Sequence, residues 1–222
     1  MKKTMTKFGF TLIEIMVSMV ISSLVIAGVY GVYTIQQRSY TTQEQVTEMQ
    51  QRLRSAVDFM SRDIRMAGYA LDNTCSISQE LLTVASDRFS FQYCERSGAT
   101  WVTNRVTYSL TDAGELRREL HQSGSLTPLT RTIAEGIDGI EFQYLAGDGL
   151  TDSSGNVGGI RVVGLSILAR AAYPDRKYTD NITYSPASGD STWSGRFSPN
   201  PANDNFHRRL LVTSIELRNV GL

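Results

Sequence analysis

The sequence predicts an α+β protein, one long N-terminal helix followed by a head of antiparallel strands. Three observations carry the prediction. From Phe10 to Gln37 the only charged side chain is Glu14. From Val46 to Ala67 apolar residues recur at steps of three and four, the signature of one helical stripe. From about Leu81 the hydrophobic period falls to two, as in half-buried strands. Composition sets the outer bounds. A chain of 222 residues, 41% hydrophobic, suits one domain with an appendage. With 22 basic and 22 acidic side chains, it lacks the positive excess of a nucleic-acid binder, and none is expected as a partner.

The run Phe10 to Tyr33 is mostly apolar and carries no charged side chain apart from Glu14. At about 1.5 Å per residue its 24 residues extend roughly 36 Å, enough for a hydrocarbon core of about 30 Å. Lys2, Lys3 and Lys7 precede it, which orients the N-terminus to the cytoplasm and the body to the far side. A secretory signal peptide would offer Val25-Ile26-Ala27 for cleavage, but the apolar run is too long for it and carries a carboxylate. A plain signal anchor explains the length and gives Glu14 no purpose, although such a carboxylate costs about 2–3 kcal/mol in hydrocarbon unless it snorkels to the interface.

The basic leader ends in Gly9, and Phe10-Thr11-Leu12-Ile13-Glu14 opens the apolar helix. This pattern resembles the class III signal of type IV pilins and type II secretion pseudopilins. The resemblance implies a leader, residues 1–9, removed after Gly9 by a membrane prepilin peptidase that also N-methylates the new N-terminal residue, Phe10. It implies that Glu14 pairs with the N-terminal amine of a neighbouring subunit. Such a pair is tolerable in low dielectric, where either charge alone is not. Loss of the leader would take Lys2, Lys3 and Lys7 with it, leaving 19 basic against 22 acidic side chains and a net charge of −3.

Beyond the membrane segment, residues 10–33, the helix is expected to continue as an amphipathic spine over residues 34–68. Val46, Met49, Leu53, Val57, Met60, Ile64 and Ala67 form its stripe, Glu48–Arg52, Arg54–Asp58 and Asp58–Arg62 are expected i,i+4 charge pairs on the other face, and Gly68 is a C-cap. With no proline between Phe10 and Ala67, one helix of about 58 residues, roughly 87 Å, is expected. Gly28 and Gly31 are either weak points or tolerated small residues. This resembles the spine of the type IV pilin fold, and the resemblance implies that its second half packs on an antiparallel β-sheet.

The head, residues 69–222, should contain about six strands. Arg88–Tyr93, Trp101–Leu110, Glu115–His121, Ile140–Tyr144, Ile160–Ala169 and Arg209–Arg218 fit that pattern, with a hairpin turn at Thr111–Gly114. Cys75 and Cys94 lie where disulfides persist. A bridge would close a loop of about 20 residues and stabilise by about 3 kcal/mol in the chain-entropy model; two free thiols are the other reading. Neither His121 nor His207 has ligand spacing to the cysteines, so no metal is expected. Asp148 to Asn156 looks like a calcium loop but places Leu150 where an oxygen ligand belongs, and reads as a turn. Residues 173–206 hold four of the five prolines and are unusually aromatic. They are either a contact loop or a packed irregular excursion.

No nucleophile elbow, zinc-helix motif, Walker loop or dinucleotide fingerprint occurs, so no enzyme and no cofactor are expected. Arg62-Asp63-Ile64-Arg65-Met66-Ala67-Gly68-Tyr69 and the C-terminal Leu217-Arg218-Asn219 resemble PilW-type minor pilins. That resemblance implies a structural subunit near the tip of a type IV pilus. Its partners would be the prepilin peptidase and N-methyltransferase, other minor and major pilins, an inner-membrane assembly platform and the lipid bilayer. The alternatives are a J-type pseudopilin of a type II secretion or DNA-uptake system, and a membrane-anchored adhesin.

Overall fold

Where the sequence has neither proline nor a polar turn, the chain stays helical: α1 runs from Leu12 to Ile64, 53 residues, and passes through Gly28 and Gly31 without a break. The computed structural model describes residues 9–70, 75, 77, 80–189, 193 and 197–220. Of the expected leader, only Gly9 lies among them. The chain divides into two units, with the boundary inside α1 between Glu44 and Gln45.

In the first unit the large apolar side chains from Leu12 to Ile35 are exposed. The hydroxyls of Ser18, Ser23 and Thr34 donate to the carbonyls of Ile15, Val20 and Gly31 at 2.8–2.9 Å. These polar groups are therefore satisfied within the helix, as hydrocarbon demands. α1 is long and apolar enough to cross a membrane.

In the second unit α1 buries Met49, Leu53, Ala56, Val57, Met60 and Ile64, the stripe read from the sequence. Regular helix ends before the expected Ala67. Met66 N–H donates to Asp63 and Ala67 N–H to Ile64, both at 3.0 Å, which tightens the last turn to i→i+3 bonding. Gly68 then turns the chain at φ +76°, and its N–H donates to the Gln92 carbonyl at 2.9 Å. A Cβ at this position would lie 2.6 Å from the Asn219 carbonyl oxygen, so both conformation and space require glycine.

The strands form two antiparallel sheets rather than one. The first has the order β1 (Leu81–Val84), β2 (Arg88–Ser97), β3 (Thr100–Leu110), β4 (Leu116–Gln122) and β5 (Leu129–Ala134). The second has the order β6 (Ile137–Leu145), β7 (Val162–Arg170) and β8 (Arg208–Glu216). β2 and β3 put Phe89, Phe91, Val106 and Tyr108 into a core shared with the α1 stripe and with Ile140, Phe142, Leu165, Ile167 and Ile215 of the second sheet. Phe89 joins the sheets, its ring 5.6 Å from Phe142 and 5.7 Å from Tyr144. The Tyr144 hydroxyl donates to the Ala85 carbonyl at 2.8 Å, and burial raises its pKa.

Cys75 and Cys94 are bonded, with Cα atoms 6.3 Å apart. The bridge fastens the segment after the spine to β2. β7 is buried along nearly its whole length, because one face meets the core and the other meets the excursion at residues 171–207. Among its described residues Tyr184, Trp193 and Phe197 pack on Leu168, so this part is a packed excursion. Asp148 accepts from Leu150 N–H (2.9 Å), Thr151 N–H (2.8 Å) and the Thr151 hydroxyl. These bonds, the Thr151 hydroxyl first, hold its carboxyl down to about 2, and they make the segment a turn.

Candidate functional site

Two places gather the residues that the sequence singles out. At the start of α1, Thr11 precedes the first helical residue and Glu14 lies in the first turn. The Glu14 carboxylate accepts from Thr11 N–H and from the Thr11 hydroxyl, each at 2.8 Å. Glu14 N–H in turn donates to the Thr11 hydroxyl oxygen at 3.4 Å. This is a capping box: each residue satisfies an orphan backbone donor of the other. The Thr-x-x-Glu spacing that specifies this box is present in the sequence, whereas the pairing of Glu14 with a neighbour is what the resemblance implies. Gly9 and Phe10 precede the box and are exposed, Phe10 at 86%.

Glu14 therefore has a partner of its own in a single chain. In a low-dielectric surrounding the box supplies two donors to the carboxylate, which lowers the cost of its charge. Both donors belong to one adjacent residue, so an incoming ammonium can replace or join them without unfolding the helix.

At the other end of α1 the two stretches that resemble PilW-type minor pilins meet. Asp63 accepts from the Tyr108 hydroxyl at 2.6 Å and from the Arg118 guanidinium at 2.7 and 3.2 Å. The Arg118 and Asp63 side chains are 12% and 14% exposed. Burial raises the Tyr108 pKa, and the Asp63 charge raises it further. Burial alone would lower that of Arg118, and the bonds to Asp63 more than reverse it. Asn219 donates its amide to the Arg65 carbonyl at 3.1 Å, Cys94 N–H donates to the Tyr69 carbonyl at 2.7 Å, and Leu217 is in the core. The signature thus locks the helix end to β2, β3, β4 and the C-terminal segment. Tyr108 and Arg118 were not singled out from the sequence, because nothing local marks partners 45 and 55 residues away. Among the described residues no group of three or more His, Cys, Asp or Glu side chains is placed to hold a metal ion.

A spine helix with a self-capped carboxylate in its first turn, joined to an antiparallel β head, defines a pilin-like protein. Comparison with known proteins agrees. The model of the prokaryotic N-terminal methylation motif matches residues 4–30. The fold is similar to that of a type IV-like pilin from Thermus thermophilus, with a TM-score of 0.55 and 16% identity over 79% of this chain and 100% of the other. No curated protein matches the sequence. The chain is type IV pilin-like and carries a prepilin-type signal.

Proposed function

We propose that this protein is a minor pilin of the PilW type, a structural subunit and not an enzyme, that helps to initiate assembly of a type IV pilus near its tip. Prepilin peptidase cuts after Gly9 and methylates Phe10. The precursor spans the inner membrane once, N-terminus in the cytoplasm and head in the periplasm, and then passes to the filament through the assembly platform and other pilins. The observation that carries this reading is Glu14: one carboxylate in an otherwise apolar run, inside a methylation motif, capped by Thr11. In the precursor the capping box shelters the charge. In the filament the methylated amine of a neighbouring subunit joins it, and the ion pair sets the register between subunits.

The test is Glu14→Ala expressed beside wild-type partner pilins. Processing should be unchanged and recovery in sheared filaments at least tenfold lower. Recovery equal to wild type would sink the pairing role.

A further inference from the structure

Residues 171–207 leave β7 and return to β8 as two limbs tied by backbone bonds. Ala171 N–H donates to His207 (2.8 Å), Asp175 to Asn205 (2.7 Å), Asp180 to Asp204 (2.7 Å) and Asn203 to Asp180 (2.8 Å). The His207 ring stacks on Tyr178 with centroids 3.8 Å apart, and its Nε2 is 3.4 Å from the Asp175 carboxylate.

Farther along, Tyr184, Trp193 and Phe197 pack on Leu168 as a cluster that shares no residue with the main core. Trp193 Nε1 donates to the Tyr184 carbonyl at 2.7 Å. The indole lies against Gly139, where a Cβ would come within 2.6 Å of Cε3.

One side chain joins these parts. Arg208, 3% exposed, donates to Asp138 of β6 (2.7 Å), to Asp180 (2.9 Å) and to both oxygens of Asp204 (2.6 Å each). Its guanidinium also sits over the Phe197 ring at 5.2 Å. Asp180 is fully buried and accepts besides from the hydroxyls of Tyr178 (3.3 Å) and Tyr184 (3.2 Å).

We infer that residues 171–189, 193 and 197–207 belong to a second cooperative unit, a strap keyed by Arg208, which opens from the three-stranded sheet without unfolding the main core. The separate apolar cluster gives the strap its own cooperativity, and one buried cation faced by three carboxylates ties its two limbs to β6 and β8. Cooperative units of this kind open below the global unfolding free energy. Opening would uncover the outer-face side chains of β7 and β8, Leu168 and Leu210, beside Val212, which is already half exposed. The strap is thus a removable cover over an apolar strip of sheet. This inference does not depend on the pilus assignment.

Native-state hydrogen exchange of the full chain in detergent, read by mass spectrometry across sub-denaturing urea, tests it first on the wild type. Peptides within 171–189 and 197–207 should share one opening reaction, at least tenfold more populated than that of β2, β3 and β6 and with a shallower urea dependence. Arg208→Met should raise strap exchange at least tenfold further and leave β2 and β3 unchanged, whereas Arg208→Lys should give a smaller rise. A single opening reaction common to strap and core in the wild type would overturn the inference. So would an Arg208→Met protein that folds and exchanges like wild type.

Discussion

Along α1 the residues up to Glu44 leave leucine, isoleucine, valine and tyrosine side chains exposed, whereas from Met49 onward the same helix buries one residue in every three or four. The first region bonds the hydroxyls of Ser18, Ser23 and Thr34 and the Glu14 carboxylate to groups a few residues away in the same chain. Its large apolar side chains are exposed among the described residues. The second region covers its own: α1, both sheets and the C-terminal segment share one core. The difference shows where each region finds its partner. The first is finished by its environment, lipid or neighbouring helices, because in hydrocarbon only internal hydrogen bonding is required of it. The second is finished by itself. Substitutions in one region should therefore leave the other's observable alone.

The largest break is expected at the junction. Asp63→Ala leaves Arg118 as a nearly buried charge without its carboxylate and removes the acceptor of Tyr108. The head should lose about 3–5 kcal/mol, seen as a fall in Tm of roughly 10 °C or more, with membrane insertion unchanged. An Asp63→Ala head that melts like wild type would remove the junction from the account.

A smaller, local effect should come with acid. The bonds from Arg208 hold the Asp204 carboxyl below the usual carboxylate range. A folded pKa below the unfolded one means that this contribution is present above the unfolded value, about 4, and fades as the pH falls through the folded value. The groups facing the cluster are Asp138, Arg170, Asp175, Tyr178, Asp180, Tyr184, Asp204 and His207. Acidification below about pH 4 should therefore loosen the strap before the main core, as followed in a Trp101→Phe chain by Trp193 fluorescence against far-ultraviolet circular dichroism. Coincident transitions would contradict this.

The smallest effect tests the first region. Thr11→Ala removes the cap and should cost about 1 kcal/mol in the first turn of α1, visible as faster amide exchange at residues 12–15 in micelles. The Tm of the head should stay the same. A shifted head Tm would mean that the two regions are not independent.

The parts legible in the sequence were those written in local period. The apolar run, the stripe from Val46 to Ala67 and the alternation of β2, β3, β4, β6, β7 and β8 each come from neighbours a few residues apart. β5 was not legible, because Leu129 to Thr132 are all exposed and give no alternation of burial to read. The division into two sheets was missed because it depends on which strand edges pair, and periodicity says nothing about pairing. At the N-terminus the residues were found, but the capping box was not. At the junction Asp63 was found, but its partners lay 45 and 55 residues away. Nothing local marks Arg208, since its role rests on Asp138, 70 residues upstream, and on two further aspartates. Long-range side-chain pairs leave no trace in spacing.

On the proposed function the first region is cut, modified and handed to neighbours, and intact mass spectrometry of the protein recovered from its native membrane reads this directly. The predicted result is a chain beginning at N-methyl-Phe10, with residues 1–9 absent. A mature chain beginning at Met1, or one cut near Ala27 and beginning at Gly28, would contradict it.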